Sequence, residues 1–272
     1  MYELEIIESE RDVGEHEVVF RSADEVQLLY GSLQDSSDSS ALRFVECGDA
    51  FRTFELFDEA LECYGEGIAR DSRCLQTYVG RGELLFELAL CGRTDEEIAK
   101  FGWRSVDDFR KALVLSLGTN DVVWRLGIAL LLVDDAAGVQ ALAGNVIIKV
   151  EAAEAVRCDF LYLLGLAKVF MGDKGGAEEV FEELVGFDCG VEFGWFGKLV
   201  SSLALSDGAG AEAILMELQL KDAGLWKVGQ RLQRSGCNRF VDVAKALLNV
   251  GNVVVTSRKV AGKRGRGERP GA

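Results

Sequence analysis

Between Ala41 and Cys74 the apolar and small positions recur at the three- and four-residue steps of a helix, break for a short polar turn, and start again. Phe44, Cys47, Gly48 and Phe51 share one face of a first helix, and Ala60, Tyr64, Gly67 and Ile68 share one face of a second. The small residues Gly48, Ala60 and Gly67 allow neighbouring helix backbones to approach closely. The pattern then returns along the chain. A second pair opens with Tyr78, Gly82 and Leu85 and closes with Phe109, Lys111, Ala112 and Leu113. Roughly eleven additional residues, around Cys91–Phe101, separate its halves, and Thr94 to Glu97 there read as the cap of an extra helical turn. A third pair begins at Trp124, Leu126, Gly127 and Ala129; its second helix, near Ala136–Val150, lacks the small-then-aromatic anchor and so leaves its register open.

The fourth pair is clear again: Leu161, Leu164, Gly165 and Ala167, a turn at Gly172-Asp173, then Ala177, Phe181 and Leu184. One period later come Trp195, Leu199, Asp207-Gly208, Ala211 and Leu215. Gly48 to Ala60 and Gly165 to Ala177 are both twelve residues, and Trp195 follows Leu161 by 34. A fixed period of this length is the mark of stacked helix–turn–helix units. Leu225–Arg234 and Arg239–Val250 read as a final pair that closes the stack with a more polar outer face.

The flanks do not repeat. Residues 1–40 begin with an acidic lead; Ser22 then reads as an N-cap with Glu25 completing a capping box, for a short helix to about Leu33. Gln34–Ser40 is a polar linker. The lead is expected to be a tail or a loose cap, the repeat domain to run over 41–253, and residues 254–272 to form a disordered basic tail.

Composition narrows the class. The single Pro, at position 270, leaves nearly the whole chain free of helix breakers and favours an all-helical fold, while 31 glycines soften some units. The formal net charge is −15, and the tail alone carries +5, from Arg258, Lys259, Lys263, Arg264, Arg266 and Arg269 against Glu268. The rest of the chain is therefore at −20, a surface that repels nucleic acid and attracts basic partners. His16 is the single histidine, which removes Ser-His-Asp and Cys-His catalysis and histidine-rich metal sites from consideration. Seven cysteines without CxxC spacing, Cys47 and Cys63 among them at core-facing places, read as small buried hydrophobes in a reducing compartment. The longest apolar run, Leu126–Val133, is too short to span a bilayer. Gly80-Arg81-Gly82 and the stretch Gly172–Gly176 do not complete a phosphate-binding motif. No cofactor or metal is expected, and the chain reads as a soluble cytoplasmic or nuclear protein.

The anchors Phe44, Cys47-Gly48, Phe51, Ala60 and Tyr64, with Asp71-Ser72 at the closing place, resemble the tetratricopeptide repeat (TPR), although the closing proline of that family is missing. The resemblance implies an all-α, right-handed superhelical array of helical hairpins. It also implies a concave face lined by the first helix of each pair. In register, Asp49, Glu83, Phe86, Glu87 and Trp124 fall on that face in the N-terminal half, and Tyr162, Leu166, Phe170, Phe193 and Phe196 in the C-terminal half. A groove acidic at one end and aromatic at the other suits a basic client with apolar anchors. The alternative is that the terminal helices simply cover the apolar half.

The chaperone-clamp subclass of TPR proteins grips a carboxylate with Lys and Asn; the matching places here are Val45, Asp49, Gly80, Asp121 and Arg125, and Arg125 alone carries the right charge. A narrower similarity, over Tyr78–Leu132, is to the nuclear TPR-like enhancers of translation termination, whose basic leader is absent. The functional expectation is a non-enzymatic scaffold or adaptor for a peptide or basic client. The alternatives are an acidic chaperone or translation-related factor for ribosomal or other basic nuclear clients, and an enzyme whose site the sequence does not reveal. The basic tail reads as an import signal, an RNA contact or a screening charge.

Overall fold

The computed structural model describes residues 20–36, 40–149, 154–188, 190–236 and 239–246. The acidic lead before Phe20, the middle of the polar linker, Cys189, Cys237 and the basic tail lie outside them. Among the described residues every regular element is a helix. In order these are α1 (Ala23–Gln34), α2 (Ala41–Thr53), α3 (Phe57–Arg70), α4 (Leu75–Cys91), α5 (Asp95–Leu115), α6 (Asn120–Leu132), α7 (Ala136–Lys149), α8 (Glu154–Phe170), α9 (Lys174–Val185), α10 (Val191–Ala204), α11 (Gly208–Lys221) and α12 (Ala223–Ser235). A last helical segment, α13, covers 240–246.

Four of the hairpin turns share one backbone device. A residue in the left-handed region, Glu55, Asp134, Gly172 or Ser206, reverses the chain after the first helix. The next residue, Leu56, Asp135, Asp173 or Asp207, leads into the second helix. In three of them that residue is an Asp whose carboxylate accepts the backbone N–H three residues on: Gly138 at 2.9 Å, Gly176 at 3.0 Å and Gly210 at 3.0 Å. Each satisfies one of the N–H groups a helix start leaves without a partner. Glycine at the third position has a steric cause, since a Cβ on Gly138 would stand 2.6 Å from the Asp135 carboxylate.

The α4–α5 connection differs. Thr94 Oγ1 accepts the Glu97 N–H at 3.2 Å, and Glu97 Oε2 accepts the Arg93 N–H at 2.8 Å. The capping Thr therefore opens one continuous helix of 21 residues. The additional residues lengthen α4 and α5 and do not form an element of their own.

What holds successive hairpins together is an aromatic wedge. Tyr64, on α3, is fully buried, and a Cβ on either Gly48 of α2 or Gly80 of α4 would come within 2.7 Å of its ring. Phe181, on α9, stands in the same relation to Gly165 of α8 and Gly197 of α10, where a Cβ would overlap its ring. Phe109 of α5 meets Gly82 of α4 likewise. Both glycine pairs are 32 residues apart. The glycines of the repeat are thus slots for one ring, shared by the helix before it and the helix after it.

The chain divides into two compact units, 1–89 with 103–122 and 90–102 with 123–272. In the first, α1 lays Val26, Tyr30 and Leu33 on Phe44, Cys47, Phe51, Cys63 and Tyr64 of the first hairpin. The Tyr30 ring meets Phe44 and Phe51 edge-on at 6.2 and 6.1 Å. Ser22 caps α1 as the capping box predicts, at 3.3 Å to the Glu25 N–H. Cys47 and Cys63 are free and buried, and burial raises the Cys47 thiol to about 11 and the Cys63 thiol further, which leaves both inert.

In the second unit, α8 packs on α7, α9 and α10, and α10 on α9, α11 and α12. α12 stacks on α10 and α11, whereas α13 returns to much earlier parts of the same unit. Lys245 reaches the Gly92 carbonyl and Arg239 reaches Asp95.

Candidate functional site

α2 and α4 are first helices of consecutive hairpins, and the Tyr64 wedge sets them side by side. Between them lies an open groove of about 540 Å³, lined by Asp49, Arg52 and Thr53 of α2, Phe57 at the start of α3, and Glu83 and Glu87 of α4. Glu83 and Glu87 are one turn apart, so one helix face presents both. Arg52 stands opposite them. Its Nε donates to Glu87 Oε2 at 2.9 Å, its Nη2 to Glu87 Oε1, and its Nη1 to Glu83 Oε2 at 3.0 Å. The fork on Glu87 is the bidentate geometry in which a guanidinium and a carboxylate match best. Loss of solvent works against the Arg52 charge, but the Glu87 bonds outweigh it and hold the guanidinium above its ordinary pKa.

Asp49 is held from the core. The Tyr64 hydroxyl donates to Asp49 Oδ1 at 2.5 Å. Burial and the bond to Asp49 push the Tyr64 phenol far above its ordinary pKa, so it remains a proton donor. The wedge that spaces α2 from α4 therefore also orients a carboxylate at the groove. Phe57 stays 36% exposed at the same place and offers an apolar surface beside the charges.

Of the ten residues assigned to the concave face, Asp49, Glu83 and Glu87 come together in this groove. Phe86, on the same helix as the two glutamates, is half-buried. Arg52, Thr53 and Phe57 complete the lining. Arg52 and Thr53 fall on the same face in the helical register, but only the tertiary structure shows that Arg52 answers both glutamates.

In the second unit the apolar half divides. Leu166 and Phe196 are 1% and 0% exposed, and Tyr162 is also buried, so these three present little side-chain surface in this structure. α8 and α10 pack directly on each other, and the Tyr162 ring also lies against Phe181 of α9. Phe193 remains 48% exposed with its ring centroid 5.5 Å from that of Tyr162. Trp124 is half-buried, and Phe170 packs against Phe240 of α13. Among the described residues no group of His, Cys, Asp and Glu is arranged to hold a metal ion. No described helix is long and apolar enough to cross a membrane.

The crystal structure of YrrB, a TPR protein with an unusual peptide-binding site, matches 76% of this chain and 100% of its own length, with a TM-score of 0.50 and 16% sequence identity. The fold is TPR-like. No family model matches the chain, and no curated protein is similar to it in sequence. The TPR-like fold forms here without closing prolines and with a degenerate third pair. It accounts for the groove's position: in such arrays first helices line up next to one another, and the α2–α4 face is made by two of them.

Proposed function

We propose that the chain is a non-catalytic binding scaffold whose α2–α4 groove takes a basic peptide segment, with Phe57 receiving a neighbouring apolar side chain. The observation that carries this is the charge of the lining. Asp49, Glu83 and Glu87 against Arg52 leave a net of −2 in an open groove on an acidic chain. Such a surface steers cationic partners and repels anionic ones. The YrrB likeness, with its peptide-binding site, points the same way.

Arg52 refines the class of client. It already occupies both oxygens of Glu87, so a client arginine finds no open fork there. Asp49 keeps Oδ2 as a single-point acceptor, since its other oxygen is taken by Tyr64. A compact ammonium suits such an acceptor better than a planar guanidinium. The groove should therefore prefer lysine to arginine.

Fluorescence anisotropy with three labelled peptides tests both points. The peptides are identical except for lysine, arginine or norleucine between a leucine and a tyrosine. The lysine peptide should bind tightest and the norleucine peptide weakest, and Asp49→Asn should narrow the gap. Equal binding of all three would remove the groove as a cation site. Tighter binding of the arginine peptide would leave the scaffold reading in place and overturn the lysine preference.

A further inference from the structure

In a repeat array each unit touches its neighbours, and contacts at long sequence separation are not required. α13 departs from that rule. Arg239 Nη1 donates to Asp95 Oδ1 at 2.6 Å across 144 residues, and Lys245 Nζ donates to the Gly92 carbonyl at 3.1 Å across 153. Arg239 Nε also stands 3.4 Å from Asp134 Oδ2. The Phe240 ring meets Phe170 edge-on at 6.4 Å. Gly92 belongs to the α4–α5 connection and Asp95 opens α5, Asp134 belongs to the α6–α7 turn and Phe170 to the end of α8. The segment therefore meets residues 92–95 through both Arg239 and Lys245, the α6–α7 turn through Arg239 and the end of α8 through Phe240.

We infer that this strip, formed by Gly92, Asp95, Asp134 and Phe170, is a docking surface for an amphipathic basic helix, and that 239–246 is its resident internal occupant. The occupant displays the chemistry the strip accepts: an aromatic side chain, a cation directly before it, and a second cation about 9 Å further along the helix. Phe240, Val241, Val243 and Ala244 of the segment are all buried.

The hold is of a kind a partner can replace. Asp95 and Asp134 are 81% and 56% exposed in their side chains, so their pairs with Arg239 are rim contacts of small net strength. The segment's described turns, 240–246, depend on their apolar face for stability. A partner helix with the same face competes for the whole strip. The resident segment lowers the apparent affinity of such a partner by the fraction of time it is in place.

Two measurements on the full chain test this. In native-state hydrogen exchange, 240–246 should open locally and exchange at least about tenfold faster than α8 and α10. Protection equal to that of α8 would make the segment a permanent part of the core and end the proposal. The binding probe is a synthetic peptide with the sequence of residues 239–250. It should bind the full-length Arg239→Glu, Phe240→Asp variant about tenfold or more tightly than the native chain, and adding Asp95→Lys should remove the gain. Equal binding to native and variant chains overturns the inference, as does failure to bind a variant whose circular dichroism remains helical. Where the double variant unfolds, Lys245→Glu, which loses one bond to the Gly92 carbonyl, should give a gain of a few-fold, and no gain overturns the inference. Glu178→Lys with Glu182→Lys, on α9 outside both the strip and the groove, should leave this probe's binding unchanged; an equal loss there would mean that bulk charge holds the peptide and overturn the assignment.

Discussion

Tyr64 and Phe181 do the same packing work in different units, and they differ by one hydroxyl. Each ring fills the slot between two glycines 32 residues apart. Phe181 ends there, and around it the first helices α8 and α10 pack together with Leu166 and Phe196 buried. Tyr64 continues outward and its oxygen holds Asp49, beside first helices that carry Arg52, Glu83 and Glu87 on their open side. One wedge only spaces helices, and the other also positions a charge. The repeat therefore supplies the same scaffold twice, and the polar or apolar choice at a few outward positions decides whether a face is consumed by packing or left open to a partner.

The largest expected effect is on the purely structural wedge. Phe181→Ala should cost roughly 3–5 kcal/mol, the range for removing a large aromatic from a core, read as a fall in denaturation midpoint. A loss under about 1 kcal/mol would mean that the slot collapses around the gap. Gly165→Leu attacks the same slot from the other side. Its Cβ meets the Phe181 ring, and overpacking should cost about 1–3 kcal/mol. Gly175→Leu, where a Cβ meets nothing within 4 Å, is the control and should do much less.

Charge reversal probes the open face. Glu83→Lys with Glu87→Lys should slow association of a lysine peptide and flatten its salt dependence, each lost contact costing on the order of 1 kcal/mol. Glu178→Lys with Glu182→Lys, on α9, breaks surface pairs with Lys174 and Lys198 and should change peptide binding far less. Equal weakening by both pairs would mean that bulk charge alone matters. Tyr64→Phe turns the first wedge into the second. It should cost roughly 0.5–1.5 kcal/mol and reduce lysine-peptide affinity, while the ring packing and the helical spectrum stay as they are. Unchanged affinity would show that Asp49 does not need the core to place it.

The smallest effect is a pH dependence at a turn. The Lys168 ammonium and the Gly176 N–H hold the Asp173 carboxyl below its ordinary value. A depressed pKa contributes stability above the unfolded value, about 4, that is lost as pH falls through the lower folded value. The difference in melting temperature between the native chain and Asp173→Asn should therefore shrink below about pH 4. A difference that persists at lower pH would assign the cap to shape rather than charge.

Much of this could be read from residue order because it is local. Helix positions follow from apolar spacing, the turns from Asp at the helix starts, and the wedge slots from glycine and aromatic residues at a fixed period. Both helices of the degenerate third pair form, and α7 packs on α8. Spacing also placed Asp49, Glu83 and Glu87 on one face, because i to i+4 geometry and a repeat period suffice for that.

Other features depend on residues far apart in sequence. That Arg52 neutralises part of the acidic face is a side-chain choice across 31 and 35 residues, and no period encodes it. That Leu166 and Phe196 are buried while Phe193 is not depends on how closely α8 and α10 pack, a distance set by Gly165, Gly197 and the ring between them. The return of 239–246 to residues 92–95 has no local signature, because an Arg and a Lys near the end of a chain look alike whether they face water or a carbonyl 153 residues away. Local spacing determined the helices and their wedges; only the tertiary structure decided which charged and aromatic faces stayed exposed, since that depends on which long-range contacts had already used them.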